Sequence, residues 1–389
     1  MKKVNKLSVL ILGLSFSFSS LALGVEKKES YYFPYITGNV LGEYNFSKLD
    51  SRDDGNKLYD DKDTMSYLQI EGDINIHLFN NFSIKTGTII RPFMDRMTSI
   101  NNVDNDYYGK EDYFRRKNYL NKYDLVFEEL AFEYKEEEFL FGLGKFNPSF
   151  GKAYDKSKYH PIFGTKIAEE YELTEKLGFY VAMTLPMFTL RGNFFYNDDS
   201  FLSRSLFDNR GKYKEDNMVG DKRNLENFSV SVDFAVSDYR VNLGIRRMKA
   251  SDRNGVSEKG YVVGIERLIE ESEDSFGFIP FAEYSLIKNY RGNEDRDMHF
   301  LTVRLPVVYN NWNLIASYSA KFDKEKHFKD YKSYLAQFGI GYKFNNGIML
   351  DVSKYSEKEA YKVTSTKKTS FKSDAFGVRL SYMINFNED

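Results

Sequence analysis

The stretch Phe376-Gly377-Val378-Arg379-Leu380-Ser381-Tyr382-Met383-Ile384-Asn385-Phe386 alternates without a break. Every second residue is large and apolar: Phe376, Val378, Leu380, Tyr382, Ile384 and Phe386. Gly377, Arg379, Ser381, Met383 and Asn385 lie between them. Successive side chains of a strand point to opposite faces, whereas a helix would space its apolar residues three and four apart. The segment therefore reads as a strand with one apolar face and one mostly polar or small face.

Working outward from it, the same period recurs. Leu68, Ile70, Ile74, Ile76 and Leu78 alternate with Gln69, Glu71, Asp73, Asn75 and His77. Phe228 to Val236, Leu301 to Tyr309, Trp312 to Ala320 and Tyr334 to Phe344 follow the rule. The pattern predicts sixteen strands: 36–47, 65–79, 82–93, 123–134, 138–147, 170–185, 188–197, 226–236, 239–249, 259–269, 276–290, 297–309, 312–322, 332–344, 348–356 and 373–386. Most reach the roughly 9–11 residues that cross a bilayer at a tilt.

The connections support the count. Tight turns fall at 80–81, 135–137, 186–187, 237–238, 270–275, 310–311 and 345–347. Longer polar stretches fall at 48–64, 94–122, 148–169, 198–225, 250–258, 291–296, 323–331 and 357–372. The two kinds alternate throughout, as short periplasmic turns and long extracellular loops do in an outer-membrane barrel. Aromatic residues beside the tight turns (Phe79, Phe82, Phe132, Tyr134, Tyr309, Trp312, Tyr342, Phe344) fit a girdle at headgroup level. The fold class is thus an all-β transmembrane antiparallel barrel of sixteen strands.

Composition agrees. Aromatic residues make up 17% of the 389 residues while 29% are charged, a mixture suited to strands with lipid on one side and water on the other. Lys2, Lys3 and Lys6 precede an apolar run from Leu7 to about Leu23, and small residues follow at Ala22 and Gly24. That order predicts a signal peptide over 1–24, cleaved after about Ala22 or Gly24, ahead of one barrel domain over 25–389. The first strand then begins about ten residues after the signal, which leaves no room for an N-terminal plug. Cysteine is absent, so disulfides and thiolate metal sites are excluded. His77, His160, His299 and His327 are too scattered for a metal centre, and no cofactor is expected. A net charge of −2 argues against nucleic acid.

A barrel of 16–18 strands leaves an aqueous channel, whereas one of about eight is filled by side chains. In the first six strands, parity turns Glu43, Glu71, Asp73, Glu129, Glu133 and Glu172 inward, against Lys85, Arg91 and Lys176. From the seventh strand on, Arg191, Arg240, Arg246, Arg304, Lys321, Lys343 and Arg379 face inward, against Asp233, Glu266, Glu283 and Asp351. One wall thus tends acidic and the other basic, which would set a transverse field unless the charges pair with lateral neighbours. Glu71, Asp73, Glu129, Arg191, Arg246, Arg304 and Arg379 are the leading lumen-wall candidates.

The strand count, the alternation and the aromatic C-terminal strand resemble those of the 16-stranded Gram-negative porins. The segment Gly144-Lys145-Phe146-Asn147-Pro148-Ser149-Phe150-Gly151 is similar to a Gly-Lys/Arg-Phe…Pro-Phe-Gly pattern of phosphate-selective and related porins. One departure is that Asn387-Glu388-Asp389 follow the last aromatic residue, where such chains usually end on it. The resemblance implies that the third long loop, 148–169, folds inward and forms the constriction. Lys152, Asp155, Lys156, Lys158, His160, Lys166, Glu169 and Glu170 would then line it. It also implies passive diffusion of ions and small hydrophilic solutes, outer-membrane lipid as surroundings, and a homotrimer.

Two other functions compete. A surface adhesin or receptor would act through the long loops 94–122 and 198–225. A membrane-embedded lipid hydrolase would need a nucleophile beside a base. Parity turns Ser317 and Ser319 inward and His299 outward, so that pairing fails and no enzymatic activity is expected.

Overall fold

The computed structural model describes residues 33–53, 64–92, 123–158, 166–198, 200–203, 206, 219–220, 225–250, 255–268, 276–326, 331–362 and 368–386. Sixteen antiparallel strands form one sheet that closes on itself. They are β1 (Tyr35–Asp53), β2 (Thr64–Phe79), β3 (Phe82–Pro92), β4 (Tyr123–Glu136), β5 (Phe139–Phe146), β6 (Lys176–Leu185), β7 (Phe188–Asn197) and β8 (Asn227–Val236). β9 (Tyr239–Met248), β10 (Glu258–Arg267), β11 (Gly277–Phe278 with Phe281–Lys288), β12 (Arg296–Tyr309), β13 (Trp312–Glu325), β14 (Tyr331–Lys343), β15 (Met349–Lys362) and β16 (Lys368–Phe386) follow. β11 is broken at Ile279-Pro280, because proline has no N–H for the ladder. Both of its halves pair with β12.

Closure is made by β1 and β16, whose ladder runs from Gly38 opposite Phe386 to Asp53 opposite Lys372. With no free edge, the backbone polar groups of the wall are satisfied inside the sheet, the condition for crossing lipid with strands. The outward face carries a broad exposed apolar surface, including Leu243, Ile245, Tyr261, Val263, Ile265, Leu380, Tyr382 and Ile384. On a wall of this kind that surface faces acyl chains.

The tight turns lie where alternation ended. Asn310 takes φ 49°, Ser237 φ 52° and Glu137 φ 42°, the left-handed backbone that two-residue hairpins require. Aromatic contacts gather at this end. Phe82 lies 4.9 Å from Tyr134, and Trp312 lies 4.7 Å from Tyr342, between ring centroids.

Four boundaries differ most from expectation, the first being the end of β1, which runs on to Asp53 rather than stopping at 47. β6 starts at Lys176 rather than at 170, because 170–175 belong to the inward loop. Tyr171 and Leu173 alternate like a strand, yet both are buried against the lumen wall. β15 and β16 meet farther out than predicted, pairing up to Lys362 opposite Lys368. There both faces turn polar, so apolar alternation no longer marks a strand. The expected turn 270–275 lies outside the described residues.

Candidate pore and constriction

The segment after β5 leaves the wall at Asn147 and crosses the lumen. Its base is closed by side-chain to backbone bonds. The Asn147 amide donates to Glu129 Oε1 (3.2 Å), and the Glu175 amide donates to Asn147 Oδ1 (2.8 Å). Two short helices follow, α1 (Ala153–Lys158) and α2 (Lys166–Glu169).

Phe150 anchors the descending limb. It is 2% exposed, and the Arg246 guanidinium sits 4.7 Å from its ring centroid. Its carbonyl lies over Gly244, where a Cβ would fall 2.5 Å from that oxygen. Ser149 Oγ meets Ser231 Oγ of β8 at 2.7 Å.

Glu283 of β11 then receives the start of α1. Its Oε2 accepts from the Lys152 amide (2.7 Å), and its Oε1 accepts from the Ala153 amide (3.1 Å) and the Tyr171 hydroxyl (2.6 Å). The first N–H groups of a helix have no partner within it, and a carboxylate is the natural acceptor for them. Burial, followed by the nearby Glu283 carboxylate, pushes the Tyr171 hydroxyl well above the ordinary tyrosine range, so it stays a donor.

Side chains of the loop reach further strands. Lys152 pairs with Asp233 of β8 (3.2 Å) and Lys156 with Glu266 of β10 (2.6 Å). Lys166 pairs with Glu357 (3.0 Å) and Glu359 (2.5 Å) of β15. Glu170 pairs with Lys321 of β13 (2.5 Å). Desolvation works against the Lys166 ammonium, but Glu359 and Glu357 overcome it and hold its pKa above the ordinary lysine range. A loop rooted between β5 and β6 is therefore tied to walls as far round as β15.

Arg246 and the apolar lining complete the seat. Arg246 is 5% exposed, donates to the Tyr171 carbonyl and pairs with Glu258 at 2.6 Å. Phe281, Ile287, Met298, Phe300 and Leu335 point inward and are buried, with Phe300 4.9 Å from the Tyr171 ring. The lumen is thus not uniformly polar. Where the loop docks, the wall is apolar, and Ile167, Ala168, Tyr171 and Leu173 cover it.

The remaining sequence candidates divide as follows. Asp155 is half-buried on α1, and Glu169 is exposed on α2. Lys158 closes α1, but its side chain, like all of His160, lies outside the described residues. Arg379 is 7% exposed and bridges Glu43 (3.1 Å) and Asp351 (2.9 Å). Glu71 accepts from Gln69 at 2.6 Å, and Glu129 pairs with Lys85 at 2.6 Å. Asp73 and Arg191 are half-buried on β2 and β7. Arg304, 1% exposed on β12, makes no ion pair among the described residues. Lys85, Arg240, Arg246, Lys321 and Arg379 are therefore neutralised by lateral or loop partners, rather than facing the acidic wall across open space. Glu172 belongs to the loop rather than to a strand.

Sequence reading missed Glu258, Glu357 and Glu359. All three lie at strand ends beyond the apolar band, where only an unbroken period of two (Tyr355, Glu357, Glu359) could have flagged them.

No protein-family model and no curated protein matches the sequence. Solved structures share its architecture. The outer membrane channel DcaP of Acinetobacter baumannii aligns with TM-score 0.56 and 12% identity, over 90% of this chain and 96% of that one. OmpF of Salmonella typhi, solved in complex with daunomycin, aligns with TM-score 0.56 and 11% identity, over 90% and 98%. Outer-membrane expressed OmpT of Vibrio cholerae gives 0.53 and 11%, over 92% and 99%. At such identities the likeness is one of fold, and that fold is the closed 16-stranded barrel of Gram-negative outer-membrane porins.

Proposed function

We propose that the chain is an outer-membrane porin, a water-filled channel through which ions and small hydrophilic solutes diffuse passively. The observation that carries this reading is the combination of a sixteen-strand barrel with a loop tied across its lumen. A barrel of that size is too wide to be filled by wall side chains alone. A loop seated on one side narrows it and sets charged groups at the narrowing. Lys152, Asp155, Lys156, Lys166, Glu169 and Glu170 are the described loop residues we assign to this constriction, with Lys158 and His160 carried from the sequence.

The channel reading is favoured over a lipid hydrolase. His299 lies on the outward face and meets Tyr284 Oη at 2.5 Å, while Ser317 and Ser319 are buried on the lumen face. A base and a nucleophile on opposite faces of one wall cannot exchange a proton.

Two further assignments belong to the proposal. Residues 1–24 act as a cleaved signal, and N-terminal sequencing of the mature protein should begin at Leu23 or Val25. The functional unit is a homotrimer, supported by the fold neighbour OmpT of Vibrio cholerae, solved in a trimer form (TM-score 0.52). Chemical cross-linking in intact outer membrane should trap species up to three copies, and a ladder that stops at one copy would count against it. Conduction itself is tested by planar-bilayer recording of purified, refolded protein.

A further inference from the structure

The wall has a gap where the inward loop leaves it. β5 ends at Phe146, and its ladder with β4 stops at Lys145 opposite Leu130. β4 runs on to Tyr123, so its edge beyond Leu130 has lost that neighbour. A bare strand edge is not tolerated in a wall that faces lipid. A segment from the connection between β7 and β8 covers it. The Leu206 amide donates to the Leu125 carbonyl of β4 at 2.8 Å. A short 3-10 turn, Phe201–Ser203, precedes that contact. Asp198 Oδ1 starts the turn by accepting from the Ser200 amide (2.9 Å), and Ser200 Oγ accepts from the Leu202 amide (3.1 Å). Asp198, residues 200–203 and Leu206 thus form a strap on the outer side of the wall.

Lys145 joins this strap to the inward loop. On β5 it shares the outward parity of Phe139, Phe141 and Leu143, which are exposed, yet it is fully buried. Its Nζ donates to Glu175 Oε2 (3.0 Å) and to the Leu202 carbonyl (2.9 Å), and it pairs with Asp198 (3.2 Å). Glu175 closes the return limb of the loop, one residue before β6. It takes φ 55°, a backbone that a residue other than glycine keeps only when its surroundings hold it. Asn147 holds its amide and Lys145 holds its carboxylate. Gly144 lets β4 and β5 close up beside Lys145, since a Cβ there would fall 2.3 Å from the Leu130 carbonyl oxygen. Gly144, Lys145 and Asn147 of the motif seen in the sequence therefore all serve the root of the loop.

We propose that Lys145 is a positioning residue for the constriction: one buried ammonium fixes both the return limb of the inward loop and the outer strap, so lifting the strap loosens the narrowing. The coupling arises because the ammonium is shared. Water admitted beneath the strap weakens the Lys145–Glu175 pair, whose attraction is large only while the site is dry. Glu175 is then free to leave its strained backbone, and Asn147 loses its partner at the root. This role rests on the channel reading, since the loop concerned is the constriction.

The test uses the refolded full-length mature chain carrying S203C on the strap, where Ser203 is half-buried and no native cysteine competes. The labelling rate with a membrane-impermeant maleimide reports how often the strap lifts, and planar-bilayer recording reports the constriction. Adding K145M strands two carboxylates and should raise the labelling rate and the time spent in higher-conductance states together, each by about tenfold or more. Heat-modifiable mobility reports that the barrel is intact. K145R keeps the charge and should stay near the S203C parent in both readouts. D198N leaves Lys145 with Glu175 and should move both readouts the same way by a smaller factor, which covers the case where K145M does not fold. A folded K145M or D198N that labels faster while its conductance trace is unchanged would overturn the coupling, and unchanged labelling would overturn the clamp itself. A parent without conductance steps would remove the channel reading and this role with it, whereas a parent that conducts confines any failure to Lys145.

Discussion

Replacing Glu283 by Gln is the sharpest perturbation of the constriction. Glu283 is 2% exposed and accepts three hydrogen bonds from the loop: the Lys152 and Ala153 amides and the Tyr171 hydroxyl. Gln keeps the shape but only one acceptor oxygen. With that oxygen serving Ala153 and Tyr171, its amide nitrogen faces the Lys152 N–H, donor against donor. A hydrogen bond to a charged group contributes about 1.5–3 kcal/mol, and a buried donor left without an acceptor adds a cost of about 1–3 kcal/mol. We take about 3 kcal/mol as the net loss in loop anchoring, which corresponds to a rise of roughly 150-fold in the population with this end of the loop released. The barrel should still assemble, because its strand ladders do not involve this side chain. Single-channel recording should then show frequent excursions to higher conductance in E283Q where wild type is quiet. The chain has no native cysteine, and Ser149 Oγ lies 2.7 Å from Ser231 Oγ, so S149C/S231C offers a matched lock. Oxidation of that pair in the E283Q background should restore the quiet trace. An E283Q channel indistinguishable from wild type in conductance and noise would refute the anchoring role of Glu283.

Other changes probe the same seat and the wall. G244A should displace the Phe150 limb, since a Cβ would lie 2.5 Å from the Phe150 carbonyl oxygen and 2.7 Å from Val262; the expected readout is altered conductance in a barrel that still shows heat-modifiable mobility, and unchanged conductance would contradict the packing. R379M should destabilise the barrel by about 3–5 kcal/mol, because it strands the Glu43 and Asp351 carboxylates without their shared cation. R304M, at a position with no ion pair among the described residues, should cost clearly less, and the two are compared by urea unfolding in vesicles. K166M should loosen α2 from Glu357 and Glu359 and raise current noise. The raised pKa of Lys166 means its anchoring is complete below the ordinary lysine range and fades only as pH climbs beyond it, so wild-type noise should stay flat from about pH 7 to about pH 9; noise that grew across that window would exclude the clamp.

The wall of this protein is legible in its sequence because lipid and water impose a strict period of two. β7 was expected at 188–197 and is found there, and the tight turns at Asn80-Asn81 and Asn310-Asn311 lie where expected. Legibility is lost where that two-solvent contrast disappears. β15 runs on through Glu357, Lys358 and Glu359 with polar groups on both faces, so its outer end carries no apolar signal. Tyr171 and Leu173 mimic a strand because they alternate against an apolar patch of lumen wall, which moved the expected start of β6 inward by six residues. That patch is itself invisible to alternation, since Phe281, Ile287 and Phe300 occupy inward positions where water was expected. The charge pattern was legible by parity but its pairing was not. Arg246 with Glu258, and Glu283 with the start of α1, join residues whose proximity depends on register and on the course of the loop.

The most direct measurement is the current through a planar bilayer after addition of purified, refolded mature chain at about 1 M salt. Discrete, uniform conductance steps that scale with salt concentration, and that enlarge when residues 152–170 are replaced by a short flexible linker, are the expected result. Refolded, heat-modifiable protein that inserts without any conductance step, or whose steps are unchanged by removing that segment, would contradict a channel narrowed by its inward loop.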